Sequence, residues 1–403
     1  MNQISEDCGE KIWNKKFILL FITNLLMMAT FYAAVPMIPV YCQEIGVTGS
    51  RIGIVLTAMS ITTVLFRPFA GYILDNFNRY RVYILFLALF CLPFLGFAVT
   101  TSFVLLVALR LYMGLVYSVC GSATMTLAGD VLPSSKVRLG VNRFALTVSL
   151  GMAAGPFVGI QVQSHISSKL SFLMLFAFAV IALICVSFCK IKYPKMERKK
   201  FSFADAFYKP AFPFMLNMIF IMIPFGAMLA YSAMLAQEKG LSAATPYFYI
   251  FLVAGMFLSK LSTQKMIDQG RHKILVVMSL MILIVTMGSY YFLNSTPHLL
   301  MAGFLLGIGY GLLQPLFQSF VTGTTPAPKR GTYLLSYDIG IGIGSLLMGI
   351  LQESIGLSTG FAMTSVAYLI GGLIYLAYVE PYYTRQSSSG SLSYGLYGHQ
   401  ITE

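Results

Sequence analysis

The stretch RPFAGYILDNFNRYR, Arg67–Arg81, sets three arginines and one aspartate beside an apolar run. Two folds could carry such a stretch. If the residues before Asp75 cross a bilayer, the charges mark the point where the chain returns to water. If they fold in water, the same charges are an ordinary surface. Composition favours the bilayer: 57% of the 403 residues are hydrophobic and 10% are charged, against roughly 25% charged in soluble globular proteins.

Working outward from Asp75, continuous apolar runs of about 20 residues, the length that crosses a bilayer as a helix, recur twelve times. They fall at 17–41, 52–76, 82–100, 103–128, 139–161, 169–190, 213–236, 244–264, 274–293, 298–322, 332–352 and 358–379. The runs are continuous rather than alternating, which excludes a transmembrane β-barrel. The expected fold is an all-α integral membrane bundle of twelve helices. The first run is long enough to span and no small-residue cleavage site follows it, so no cleavable leader is expected.

Lys and Arg crowd one set of run ends, among them Arg79, Arg81, Lys136, Lys190 and Lys329; the opposite set holds only Arg51, Lys169 and Lys239. By the positive-inside rule both termini are expected in the cytoplasm. The net charge of +13 is then a topology signal, and no nucleic-acid partner is expected. Cys8, Cys42, Cys91, Cys120, Cys185 and Cys189 form no CxxC pair, so neither a disulfide frame nor a metal site is expected. The longest basic connection divides the chain into a six-helix half at 1–190, a cytoplasmic linker at 191–212 and a second six-helix half at 213–380. A Ser/Gly/Tyr-rich tail at 381–403 is expected to be disordered.

The halves repeat. SLGMAAGPFVG (Ser149–Gly159) in the fifth run parallels DIGIGIGSLLMG (Asp338–Gly349) in the eleventh, aligning Gly151 with Gly340 and Gly155 with Gly344. LPSSKVRLG (Leu132–Gly140) parallels TPAPKRG (Thr325–Gly331), and LDNFNRYR has a shorter counterpart in IDQGRHK (Ile267–Lys273). Two parallel halves about a midplane site are a transporter architecture.

On these motifs the sequence resembles the major facilitator superfamily across nearly its whole length. The family's loop motif after span two corresponds to Gly71, Ile73, Asp75, Asn76, Asn78, Arg79 and Arg81, with Asn76 and Asn78 standing where Arg and Gly are usual. The fourth-span motif corresponds to Arg110 and Gly114, and the fifth-span antiporter motif to Gly151, Gly155, Pro156 and Gly159. Arg67-Pro68 and the Asp338-x-Gly of span eleven resemble bacterial exporters of drugs, sugars or metal-chelating metabolites. The resemblance implies that Asp75 faces the start of helix eleven near Gly331 and Thr332, where free N–H groups favour a carboxylate. That contact would close the cytoplasmic side. Asn78 is expected to replace Gly in a left-handed turn.

Ionisable groups inside spans are costly and are functional candidates. Arg110 shares a face with Gly114, Tyr117, Gly121 and Met125. It either couples cavity occupancy to packing or bonds backbone carbonyls as a structural arginine. Arg67 is expected to be structural, snorkelling or pairing near the cytoplasmic end. Asp338 is the one acid expected well inside a span and is the candidate proton carrier; the alternative is a permanently neutral carboxyl that holds helices together. Asn24, Tyr32, Tyr117, Asn217, Tyr231, Tyr310 and Gln314 are candidate cavity residues, each also able to serve as interhelical glue. His165, His272, His298 and His399 are expected in loops or tail.

These readings converge on a monomeric, proton-driven exporter of a small organic molecule in a bacterial inner membrane. It needs no cofactor beyond the proton gradient, and its partners are substrate, protons and lipid. An uptake permease for a sugar or other metabolite is the alternative within transport. A sensor or a lipid-modifying enzyme is less favoured, since no acid, His or metal-ligand cluster marks one membrane face.

Overall fold

The first apolar run becomes a helix because its entry is capped. Asn14 Oδ1 accepts from Phe17 N at 2.9 Å and its Nδ2 donates to Val131 O at 3.0 Å, tying the start of α1 (Lys15–Glu44) to the residue after α4. The computed structural model describes residues 12–191, 209–268, 271–324 and 331–388. After α1 come α2 (Ser50–Asn76), α3 (Arg79–Val99), α4 (Phe103–Asp130), α5 (Val137–Gln163) and α6 (Ser168–Ser187). Then follow α7 (Phe212–Glu238), α8 (Thr245–Asp268), α9 (His272–Ser289), α10 (Thr296–Thr324), α11 (Gly331–Ile374) and a short α12 (Glu380–Ser388).

Eleven helices among the described residues are long and apolar enough to cross a membrane. The eleventh supplies two spans. Gly356 interrupts α11 at φ 78°, ψ 165°, a region essentially reserved for Gly. The chain folds back there: a Cβ at Gly360 would lie 3.1 Å from Met348 Cε and 3.3 Å from Leu351 Cβ. The expected twelve spans are thus present. No strand occurs among the described residues. Helices suit the bilayer because each satisfies its own backbone groups. Exposed apolar side chains such as Leu65, Val104, Val285 and Leu373 need no aqueous explanation on a surface that meets lipid.

The chain divides into two compact units, Met1–Phe201 with Ala230–Ile250, and Ser202–Leu229 with Phe251–Glu403. In the first unit α1 packs on α5 and α6, α2 on α4, and α3 on α4 and α6. In the second, α7 meets the first arm of α11 at Gly340 and Gly344, α8 meets α10 at Gly255 and Gly307, and α9 packs on α10 and α11.

The repeat is visible atom by atom. Gly151 lies against Met28 and Gly155 against the Ala29 carbonyl; Gly340 lies against Met222 and Gly344 against the Ile223 carbonyl, at the same spacing. Thr23 Oγ1 reaches Ala182 O at 3.4 Å, and at the matching place Asn217 Nδ2 donates to Gly371 O. Thr147 donates to Phe144 O, and its counterpart Ser336 donates to Tyr333 O. Close approach at small residues is how helices associate where the hydrophobic effect gives no preference between helix and lipid.

The expected linker 191–212 falls outside the described residues over 192–208, as do 325–330 and the tail from 389. The tail expectation needs a correction at its start. Residues 381–388 are helical, because Tyr382 packs on Phe214 (5.8 Å) and Tyr383 on Phe320 (4.4 Å).

Candidate transport site

The motif after α2 folds into an ion network within the first unit. Arg79, the first residue of α3, donates through Nη1 to both oxygens of Asp130 at 3.2 Å and through Nε to Leu74 O at 3.1 Å. Its Nη2 lies 3.6 Å from Asp75. One guanidinium therefore joins the ends of α2 and α4 to the start of α3. Asp130 was not among the sequence candidates. Its only signal there is its place at the end of span four, in the repeat position occupied by Gly323.

Asn78 corrects the expected left-handed turn. It sits at φ −60°, ψ 106° as the N-cap of α3, its side chain accepting from Arg81 N at 3.1 Å. An Asn at this position supplies an acceptor for the helix start, so the turn needs no glycine. The Arg81 side chain is exposed, and a Cβ on Gly71 would meet nothing within 4 Å among the described residues. The side chains of Gly331 and Thr332, the expected partners of Asp75, lie outside the described residues.

The fifth-span motif is a close helix contact. A Cβ at Gly155 would strike the Ala29 carbonyl. One at Gly151 would come within 2.6 Å of Met28 Cβ, and one at Gly159 within 2.7 Å of Met37 Sδ. Pro156 lies within the continuous helix α5. Gly114 in α4 meets the Met59 carbonyl and Thr62 in the same manner.

Arg110 is 3% exposed. Its Nε and Nη2 donate to the carbonyls of Val55 and Leu56 in α2, both at 3.4 Å, and Nη1 reaches Met113 Sδ at 3.8 Å. Arg67 is half-buried on α2. Asp338 is half-buried at the eighth residue of α11, one residue past Tyr337, whose hydroxyl engages Gln314 and, at 3.1 Å, Tyr333.

The cavity candidates separate into sealed and accessible groups. Asn24, Asn217, Tyr231 and Tyr310 are buried. Asn24 Nδ2 donates to Thr147 at 2.6 Å, whereas Oδ1 of both Asn24 and Asn217 has no hydrogen-bond partner among the described residues. Tyr32 and Tyr117 are half-buried and Gln314 is exposed. Tyr117 stacks on Phe31 at 4.0 Å and 9°. The same pair recurs in the second unit as Tyr310 on Phe225, edge-on at 4.4 Å and 74°, with the Tyr310 hydroxyl bonded to Tyr368. Phe31 and Phe225 were missed because isolated phenylalanines are unremarkable in a chain with 32 of them.

Two histidines also depart from expectation. His272 and His298 lie in the first turns of α9 and α10, not in loops. His298 Nε2 lies 3.1 Å from Ser289 Oγ. His272 is edge-on to Phe320 (5.5 Å, 80°) and Tyr383 (5.8 Å, 84°).

The sequence profile of the Major Facilitator Superfamily matches residues 20–337. Over 182 residues the chain is 25% identical to the quinolone resistance protein NorA of Staphylococcus aureus; the match covers 45% of this chain and 46% of NorA. The chain thus spans about half the length of the NorA sequences it matches (46%). An uncharacterized MFS-type transporter of Methanocaldococcus jannaschii is 20% identical over 91% of this chain and 98% of its own length. Among solved structures, a mutant of the nucleoside transporter NupG superposes with a TM-score of 0.76 at 15% identity, covering 90% of this chain and 99% of that one. At such identity the likeness shows the fold. The paired six-span repeats, the glycine contact of α5 on α1, the ion network at the start of α3 and the profile match lead to one assignment: this chain belongs to the Major Facilitator Superfamily.

Proposed function

We propose that this multi-pass membrane transporter is a proton-driven exporter of a small organic molecule, working by alternating access in a bacterial inner membrane with both termini in the cytoplasm. One observation carries the coupling. Asp338 lies two residues before Gly340, off the face that the α11 glycines pack, and the matching position of α5 is Ser149, so the packing does not require the acid. A carboxyl retained inside a span at that cost is a candidate to bind and release the driving proton. Efflux is supported by the fifth-span motif seated on α1 and by the likeness to NorA, a resistance protein.

Asp338→Asn keeps shape and removes titration. In proteoliposomes the variant is expected to bind cargo but to lose accumulation driven by a pH gradient. Uphill transport with unchanged proton coupling in Asp338→Asn would place the carrier elsewhere. Everted vesicles test direction: accumulation inside them under an imposed gradient supports export, and its loss supports the uptake alternative. Tyr32 and Tyr117 in the first unit and Gln314 in the second are the accessible candidates for cargo contact. The four buried candidates act in helix packing.

A further inference from the structure

Phe31 of α1 and Tyr117 of α4 form a parallel stack, 4.0 Å apart and inclined by 9°. An edge-on pair closes one ring face with the edge of its partner. A parallel pair leaves a flat face on each side, to which another ring can be added. Both rings are half-buried, and that exposure is not on the lipid side of α4. The outward stripe of α4 is Val104, Ala108 and Leu111, all exposed. Tyr117 follows Ala108 by nine residues, about two and a half turns, and so stands on the far side of the helix. Phe31 is likewise turned away from the α5 contact of α1, because it lies two residues, just over half a turn, from both Ala29 and Ala33.

Gly121 leaves the other face of Tyr117 uncovered. A Cβ at Gly121 would lie 3.7 Å from Tyr117 Cζ and 3.9 Å from both Cε1 and Cε2. Near-equal distances to these three atoms, with the hydroxyl oxygen no nearer, put that point above the ring and not beside it. No other atom of the described residues lies closer to it, so this is not the face that Phe31 covers. Nor does helix packing require a glycine here, unlike Gly114, where a Cβ would strike the Met59 carbonyl. The repeat differs at this place. At the spacing that aligns Gly114 with Gly307 and Tyr117 with Tyr310, Gly121 aligns with Gln314. In that unit Tyr310 is buried, meets Phe225 edge-on and is bonded to Tyr368. The first unit keeps a flat open face where the second has closed it.

We propose that the cargo carries a flat conjugated ring, and that this ring lies on the open face of Tyr117 beside Gly121, as the third layer of the stack begun by Phe31. This rests on the exporter reading, in which Tyr117 is open to cargo, and narrows its substrate class. Stacking buries apolar area on both partners and selects for shape: a saturated ring of the same size is puckered and meets the tyrosine face through a few hydrogens only. Every conjugated ring has such a face, so the platform demands flatness and leaves the substituents free.

The test uses the full chain, purified for binding and reconstituted for flux. The probes are two charge-matched pairs: naphthoate with its saturated decalin carboxylate, and N-methylacridinium with its saturated dimethylated ammonium analogue. Affinity is read by thermal stabilisation, and stacking of the flat probes by hypochromism of their absorption. The flat member of at least one pair is expected to bind about fivefold more tightly than its saturated partner, within the range of one aromatic pair. Gly121→Ala places a methyl on the open face at an ordinary contact distance. That variant should fold with an undiminished melting temperature and lose the preference for the flat probe. Tyr117→Leu should lose it as well and Tyr117→Phe restore it, because the ring face and not the hydroxyl is used. The proposal is overturned if neither flat probe binds, if each saturated probe binds as tightly as its flat partner, or if the preference survives in Gly121→Ala or in Tyr117→Leu. The exporter reading fails separately. Flat-probe flux that ignores the pH gradient removes proton driving and leaves the stacking site standing; pH-driven export of the saturated probes alone does the reverse.

Discussion

Arg79 and His272 occupy the same place in the two units, each the first residue of the third helix of its half. Arg79 gathers two carboxylates and a carbonyl. His272 stands edge-on between two aromatic rings, with Nδ1 buried and without a hydrogen-bond partner among the described residues. Where the first unit has Asp130, the second has Gly323. The interior packing shows the opposite relation: Gly155 on Ala29 and Gly344 on Ile223 are the same contact made twice. Duplication therefore preserved the contacts in which backbone meets backbone and left the helix junctions open to different chemistry. Backbone contact admits only the smallest residues, whereas a junction can be closed by ions or by rings.

The largest expected effect strikes what the units share. Gly155→Leu and Gly344→Leu should each abolish transport, since a side chain there meets a carbonyl of the partner helix and overpacking costs about 1–3 kcal/mol or more. Melting temperatures and flux of the two purified variants are to be compared. Full transport by either well-folded variant would separate the two contacts and break the equivalence.

A smaller effect is expected where the units differ. Arg79→Gln leaves Asp75 and Asp130 without their common cation. Loss of about 1–2 kcal/mol of stability is expected for this partly buried network, more than the exposed-pair range. The loss should shrink in the Arg79→Gln, Asp130→Asn double variant, because the carboxylate left without its cation is then gone. His272→Gln should cost less than Arg79→Gln, about 0.5 kcal/mol, because it leaves no charged group without its partner and Gln keeps part of the packing lost from the edge-on ring contacts. Raising salt should destabilise wild type and His272→Gln alike, and Arg79→Gln less. Equal costs at the two junctions would remove the contrast.

Asp75→Asn should have the smallest effect on stability. Asp75 lies 3.6 Å from Arg79 with its side chain 49% exposed, and such pairs contribute about 0–1 kcal/mol. Its proposed part in gating is read separately, by spin-label distances among the ends expected in the cytoplasm. An inward-open population that fails to rise in Asp75→Asn would remove it from the gate.

Much of the fold is legible in the apolar runs, because crossing a bilayer leaves a signal in every span. The repeat is legible for a related reason, since close approach leaves glycines at fixed spacing. Residues that act across distant helices are not. Arg79 and Asp130 are 51 positions apart, and no local pattern says that α4 ends beside the start of α3. Asn78 misled because an Asn can replace Gly or cap a helix, and only its dihedral angles distinguish the two. The cavity candidates share polarity, but Asn24 and Tyr310 are fully covered by neighbouring helices while Tyr117 is covered only in part. Covering depends on which helices are neighbours, not on the face alone.

Gly356 has a consequence for how the protein is made. The arms of α11 before and after it are separated by a single residue in a Gly-only conformation, so little chain is available to let one arm enter the bilayer and wait for the other. The last two spans are expected to insert as one preformed hairpin, during biogenesis rather than after it. Lengthening the turn with a short Gly/Ser insert would relax that coupling. Crosslinking of stalled nascent chains to the insertion machinery would then show the two arms leaving it separately; simultaneous release from wild type and insert alike would refute the coupling.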